Sequence, residues 1–276
     1  MNKKEIKEMV RRKYAEIARQ DKEVNAASCC GAGDCSTEVY NIMTDDYSSL
    51  EGYVEDADLS LGCGLPTAFA LIKPGDTVLD LGSGAGNDCF VARHETGPEG
   101  KVIGVDFTEE MIHKARENAD KLGFNNVEFR QGDIEDMPVG GNSIDVVVSN
   151  CVLNLLPDKT TIFKEIMRVL KPGGHFSISD IVLVGALPEI LREDAEMYAG
   201  CVSGAIQKDD YLNLIREAGF EDIKIQKEKP IHIPSDILKK YEGKIDIDRF
   251  GQSDLGIFSI TVFGRKPGCT PGGGCC

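Results

Sequence analysis

The chain has 276 residues, with 31 Lys and Arg against 46 Asp and Glu, for a formal net charge of -15. That balance leaves no basic footprint for nucleic acid or an anionic membrane surface. With 41% hydrophobic and 28% charged residues the composition is that of an ordinary globular protein.

No apolar run approaches the ~20 residues of a membrane span. The N-terminal Met-Asn-Lys-Lys-Glu-Ile-Lys lacks the apolar stretch of a secretory signal. The compartment is therefore read as cytoplasmic. There, ten cysteines point to soft-metal or redox chemistry rather than to a disulfide scaffold.

In chain order, residues 2–20 predict an amphipathic helix with Ile6, Met9, Val10, Tyr14 and Ile17 on one face. It is either a cap on the domain or a flap over a substrate. Residues 21–60 read as a long loop with short helical turns, thiol-rich at Cys29, Cys30 and Cys35. Thr67 to Ile72 reads as a short helix, and Lys73-Pro74-Gly75-Asp76 as a turn. Strands and helices then alternate: strands at 77–81, 101–106, 127–131, 144–149 and 175–181, with helices from about Asn87, at 108–122 and at 159–170. Thr108 is the expected N-cap of its helix and Gly123 its stop. Helices at 188–198, 208–218 and 235–241 follow, with last strands at 221–227 and 258–263. The alternation implies an α/β fold with a mostly parallel sheet and helices on both faces.

The organising stretch is Val78 to Gly86, Val-Leu-Asp-Leu-Gly-Ser-Gly-Ala-Gly. A strand that ends in an acid, a glycine loop and a helix start together make a nucleotide-type site. The Asp80-x-Gly82-x-Gly84-x-Gly86 spacing is not that of a dinucleotide site, and no Lys-Ser/Thr follows to make a phosphate loop. Asp80, Gly82, Ser83, Gly84 and Gly86 are the expected cofactor contacts from this loop. Three more acids or amides fall at strand ends: Asp106, Asp133 and Asn150. Asp106, 20 residues past Gly86, is placed to take two ribose hydroxyls. Met111 can lie against a purine face, and Asp133 with Ile134 suits an adenine amino group. Acids attract a cationic sulfonium ligand and repel a pyrophosphate. On these residues, roughly from Leu71 to Ile181, the chain resembles the class I S-adenosylmethionine-dependent methyltransferases. The resemblance implies a Rossmann-like fold with a seven-stranded sheet, here with an N-terminal thiol-rich segment and a C-terminal extension.

The position after the fourth strand faces the reactive methyl in this architecture, and it is occupied by Asn150-Cys151, which puts a soft sulfur there. Cys63 and Cys201 sit in glycine-flanked segments outside the regular core, Leu-Gly-Cys-Gly-Leu-Pro and Ala-Gly-Cys-Val-Ser-Gly-Ala. Three thiolates converging there suit a soft, thiophilic ion. Cys89 reads as a small buried hydrophobe. No Cys-x-x-Cys pair supports structural zinc.

The three cysteine contexts, with Ser149-Asn150-Cys151-Val152-Leu153-Asn154-Leu155, resemble the arsenite S-adenosylmethionine methyltransferases over about Tyr47 to Phe220. That resemblance implies that Cys151 and Cys201 bind trivalent arsenic, that Cys63 joins as third ligand, and that an upstream cysteine acts in a disulfide relay. Cys29, Cys30 and Cys35 all stand in that segment, and Cys35 is favoured. It further implies arsenite and methylated trivalent arsenicals as substrates, and a thioredoxin- or glutathione-type thiol reductant. The protein is expected to act as a monomer. The expected division is 1–60 for the N-terminal helix and thiol-rich loop, 61–227 for the core, 228–266 for an extension including the last strand, and 267–276 for a tail. Cys269, Cys275 and Cys276 of the tail are either inert or capture arsenite for the core. The competing readings are a methyltransferase for a small organic molecule such as a quinone precursor, and a thiol-rich metalloid-binding protein.

Overall fold

The structure is a computed structural model and describes residues 3–19, 45–59, 61–185, 204–231 and 256–268. Its framework is a seven-stranded sheet: β1 (Thr77–Leu81), β2 (Lys101–Asp106), β3 (Val127–Gln131), β4 (Ile144–Asn150), β5 (Leu170–Val184), β6 (Glu221–Ile231) and β7 (Gly256–Arg265). The order across the sheet is β3-β2-β1-β4-β5-β7-β6. Strands β1 to β5 pair in parallel, while β7 runs antiparallel between β5 and β6. The sheet is therefore mixed, with β7 inserted against the general direction. The expected division at residue 227 falls inside β6.

The near-continuous apolar runs of β1, β2 and β4 have a simple cause: both faces are covered. Val78, Val102, Val146 and Val148 pack on one side with Phe90, Ile112 and Ala115. Leu79, Leu81, Ile103, Val105 and Val147 pack on the other with Ile162, Phe163 and Ile166. Successive residues of one strand thus serve opposite cores. The covering helices are α1 (Lys3–Ala18), α2 (Pro66–Phe69), α3 (Asn87–Thr96), α4 (Glu109–Leu122), α5 (Lys159–Val169) and α6 (Lys208–Glu217).

Several boundaries differ from the sequence reading for physical reasons. The expected helix at 67–72 spans only Pro66–Phe69, because Leu71 has a left-handed backbone at φ 53°. The Lys171-Pro-Gly-Gly segment does not separate α5 from β5. β5 starts at Leu170, and its register with β4 slips between Ile144 and Val146 to absorb the extra residues. The Thr108 hydroxyl makes no capping bond; instead Asp106 Oδ1 accepts from Thr108 N at 2.8 Å. The helices expected at 188–198 and 235–241 lie outside the described residues.

Helix α1 buries Val10, Ile17 and Ala18, but Met9, expected on that face, is 47% exposed. It is pinned over the carboxyl ends of the strands. Lys3 Nζ donates to Asp158 at 2.9 Å, Lys7 Nζ to Asp133 at 2.6 Å and to Glu135, and Arg19 to Glu110 at 2.5 Å.

Candidate active site

The carboxyl ends of β1, β2 and β4 open onto a cavity of about 370 Å³. Its wall carries Asp45, Asp46, Asp58, Asp80, Asp88 and Asp106, with no lysine or arginine among the lining residues. The glycine loop after β1 forms the floor. Gly82 has φ 70°, and a Cβ there would lie 2.4 Å from the Val152 side chain, so no larger residue fits. Gly84 N donates to Asp106 Oδ2 at 3.0 Å. The carboxylate of β2 thereby ties the glycine loop to the turn before α4. Met111 packs with Leu59, Ala85, Ile17 and the half-buried Tyr14 and Leu61 to close one end.

The wall has the polarity of a site for an adenosine-bearing sulfonium. Ser83 Oγ and Asn87 Oδ1 are buried without a hydrogen-bond partner, and both residues line the cavity. Each such orphaned atom costs about 1–3 kcal/mol unless a ligand satisfies it. Burial pushes the Asp80 carboxyl well above the usual range, and neighbouring Asp88 adds to the rise. Asp88 is pushed up to about 6 by burial, against bonds from Tyr47, Asn150 and Thr67 that favour its charge. Two adjacent buried carboxylates resist ionising together, and a cation between them relieves that cost. Cys89 Sγ donates to Asp80 Oδ2 at 3.2 Å. Burial and Asp80 push this thiol up, which agrees with its reading as an inert, buried group.

The thiol side is built on Asn150, the last residue of β4. Its Oδ1 accepts from Cys63 N at 3.0 Å, and its Nδ2 donates to Gly64 O at 2.9 Å and to the Tyr47 hydroxyl oxygen at 2.5 Å. Tyr47 OH in turn donates to Asp88, 2.8 Å from Oδ2. Ser259 Oγ of β7 donates to Cys63 O at 2.5 Å. The Cys63 backbone is thus held from both sides, by β4 and by β7. The approach requires Gly62, where a Cβ would lie 2.6 Å from Asn150 Nδ2. Cys151 has φ 60°, a left-handed conformation that costs about 1–3 kcal/mol in a non-glycine residue. It is held there by its N–H bond to Ser179 O at 2.8 Å. Cys63 and Cys151 are both buried, at 0% and 3% exposed.

Of the residues expected from sequence, Asp80, Gly82, Ser83, Gly84, Asp106, Met111, Asn150 and Cys151 line the cavity. Gly86 stands behind the wall as N-cap of α3. Cys63 lies one residue beyond the lining Gly62. Asp133 and Ile134 are not on the cavity wall: Asp133 is engaged by Lys7 and by Glu135 N, and Ile134 packs into the core. Cys201, Cys35, Cys29, Cys30 and the tail cysteines lie outside the described residues. Tyr14, Tyr47, Asn87 and Asp88 were not singled out as ligand-facing groups. Asn87 and Asp88 directly follow the glycine loop and were within reach of a reading that extended the motif by one turn of helix.

Residues 72–219 match the family model described as a methyltransferase domain. The arsenite methyltransferase of Halobacterium salinarum is 44% identical, over 95% of this chain and 67% of that protein. That of Aquipseudomonas alcaligenes is 34% identical, over 95% of this chain and 74% of that protein. The crystal structure of an arsenic(III) S-adenosylmethionine methyltransferase from Chlamydomonas reinhardtii aligns with a TM-score of 0.63 and 32% identity, over 85% of this chain and 74% of that one. With its methyltransferase fold and its acid-lined crevice, this chain belongs to the arsenite methyltransferase family.

Proposed function

We propose that this enzyme transfers methyl groups from S-adenosylmethionine to trivalent arsenic held by Cys63, Cys151 and Cys201, in arsenic detoxification. The observation that carries the reading is the Asn150 tie, which fixes the backbone of one buried cysteine to the residue directly before another. When bound, S-adenosylmethionine would supply a sulfonium-activated methyl for the arsenic lone pair to take up, with S-adenosylhomocysteine as the leaving thioether. The chain's own work is to hold and to exclude. Asp106 takes the ribose hydroxyls, Met111 backs the purine, and Ser83 and Asn87 satisfy polar atoms of the ligand. Asp133, held by Lys7, and Ile134, packed in the core, stand behind the cavity wall and take no ligand contact in this scheme. Asp80 and Asp88 face the positive charge. The thiolates hold arsenic by sulfur, so its lone pair stays available and no general base is needed at arsenic. Burial of Cys63 and Cys151 keeps water away from the reacting atoms.

Gain of a methyl cation takes arsenic from trivalent to pentavalent. Two thiols closing into a disulfide return the two electrons, and a thioredoxin- or glutathione-type reductant reopens the disulfide. Cys35, in the N-terminal segment 1–60, is the proposed partner in that relay. The test is methyl transfer from labelled S-adenosylmethionine to arsenite with excess thiol, for wild type, Cys151→Ser and Cys201→Ser. Methylated arsenic from wild type alone, with cofactor affinity kept in the variants, supports the thiolate site. Product from either serine variant at the wild-type rate refutes it.

A further inference from the structure

One hydroxyl joins the acid wall to the backbone of Cys63. Tyr47 lines the cavity and is 6% exposed. Two residues before it, Asp45 clamps the segment to the edge strand β6, accepting from Lys227 Nζ at 2.6 Å and from Lys229 Nζ at 3.3 Å. Tyr47 OH stands 2.8 Å from Asp88 Oδ2, 3.0 Å from Asp88 Oδ1 and 3.2 Å from Gly64 O. A hydroxyl has one proton, and a carboxylate is the stronger acceptor, so that proton goes to Asp88. Burial and the charge of Asp88 hold the phenol well above its usual range, so the group keeps its proton. Its oxygen lone pairs are then left to Asn150 Nδ2, at 2.5 Å.

Asn150 Nδ2 thus meets three acceptors: the Tyr47 oxygen, Gly64 O at 2.9 Å and Asp88 Oδ2 at 3.3 Å. The two ends of an amide have nearly the same shape, and only their partners decide which way it points. Reversed, this one would set its oxygen against three oxygens and its NH2 against the Cys63 N–H. In the observed sense Oδ1 accepts from Cys63 N at 3.0 Å. Tyr47 therefore reaches the Cys63 backbone through a single intervening side chain, by hydrogen bonds at every link. Ser259 holds the Cys63 carbonyl from the other side, so loss of the Tyr47 hydroxyl loosens the residue without releasing it.

We propose that Tyr47 is a positioning residue that fixes Cys63 for arsenic through the Asn150 amide, and so sets the preference of the site for arsenite over its methylated products. This rests on the thiolate reading above, in which Cys63 is the third ligand. Arsenite has three bonds to exchange for sulfur. Each exchange breaks one As–O bond and one S–H bond, forms one As–S bond and releases one water, with no change of oxidation state. In methylarsenite a methyl already holds one of the three bonds, so two thiolates complete it, and Cys151 and Cys201 suffice. A misplaced Cys63 thus costs arsenite one As–S bond and costs methylarsenite none.

The experiment is equilibrium dialysis of the full chain against arsenite and, separately, against methylarsenite. It uses no cofactor and a phosphine reductant in place of competing thiols, for wild type, Tyr47→Phe, Cys63→Ser and the double variant. Tyr47→Phe is expected to weaken arsenite binding about tenfold and methylarsenite binding by less than about twofold. Cys63→Ser should show the same selectivity with a larger loss. Adding Tyr47→Phe to Cys63→Ser should change neither affinity further, because the hydroxyl acts through that thiol. A merely structural role would lower both affinities together. Equal losses for the two arsenicals in Tyr47→Phe, or no loss for arsenite, while Cys63→Ser stays selective, overturn the positioning role and leave the thiolate reading intact. An unselective Cys63→Ser overturns the third-ligand reading itself, and the role of Tyr47 with it. Should Tyr47→Phe fail to fold, Asp88→Asn, of the same shape, decides on the same readout, because it removes the charged acceptor that turns the Tyr47 proton away from Asn150.

Discussion

The two halves of the site are held together by different means. The cofactor half is short-range: the glycine loop, Asp106 and the start of α4 lie within about one βαβ unit and are joined by Gly84 N and Thr108 N on one carboxylate. The thiol half is long-range. Cys63 reaches Asn150 across 87 residues and Ser259 across 196. The cofactor half is anionic and lined by acids. The thiol half rests on the hydrogen bonds of Asn150 and a left-handed Cys151. On the proposed function, the acid-lined end would receive the cationic cofactor and the thiol end the soft metalloid.

Asn150 is where this comparison breaks most readily, since it lies on the shared wall. Asn150→Ala leaves the Cys63 N–H and the Gly64 carbonyl without their shared partner. Methyl transfer to arsenite is expected to fall about a hundredfold from misplacement of the thiol, with S-adenosylmethionine affinity changed far less. Calorimetry of cofactor binding beside a turnover assay separates the two. Equal loss of both would move Asn150 into the cofactor half, where the sequence reading had placed it.

Next in size is a packing test confined to the thiol side. A Cβ on Gly204 would lie 1.8 Å from the Asn154 carbonyl oxygen, and that backbone is fixed because Asn154 Nδ2 donates to Ile181 O at 2.7 Å. Gly204→Ala is expected to cost about 3 kcal/mol in urea unfolding. A change below about 1 kcal/mol would mean the segment yields freely.

The unequal reach of these contacts also explains what was legible in the sequence. Strands β1, β2 and β3 and the residues around Asp80 and Asp106 follow from period, glycine spacing and acids at strand ends, all local signals. That β7 inserts antiparallel between β5 and β6 has no local signal, and neither does the bond from Ser259 to Cys63. Asp180 sits inside an apolar strand and read simply as part of it. Its partners, Lys159 of α5 and Tyr211 of α6, become visible only once both helices pack on β5. Asp133 was assigned to the cofactor from its strand end, and the structure joins it to Lys7 of α1, a pairing across 126 residues.

A pH experiment sharpens the comparison. Burial raises the folded-state values of Asp88 to about 6 and of Asp180 to about 7, from an ordinary 3.8. The folded chain therefore holds these protons where the unfolded chain has lost them. The stability from the protonated forms is present near pH 4 and is lost as pH rises toward 7, by a few kcal/mol in total. Thermal unfolding of the ligand-free protein should show this decline. Saturating S-adenosylmethionine should offset the part that belongs to Asp88, which faces the cavity, and leave the part that belongs to Asp180. A cofactor effect that is uniform across pH would sink the placing of Asp88, and not Asp180, beside the cofactor.

The smallest expected effect concerns α1, whose Tyr14 lines the cavity and whose Lys7 grips Asp133 and Glu135. Lys7 is only partly buried, and such a pair contributes about 1 kcal/mol or less. Lys7→Met acts on cofactor binding in two opposed ways. It loosens the helix over the crevice, which speeds dissociation. It also removes a cation near an anionic wall, which speeds arrival of a cationic ligand. Both rate constants should therefore rise, by about threefold for a change of this size, with little change in affinity. Salt of about 0.5 M should erase the difference between variant and wild type, because it screens the pair and the wall together. Surface-based kinetics with S-adenosylmethionine resolves the two rates. An unchanged dissociation rate would show that α1 is a fixed part of the cofactor half rather than its cover.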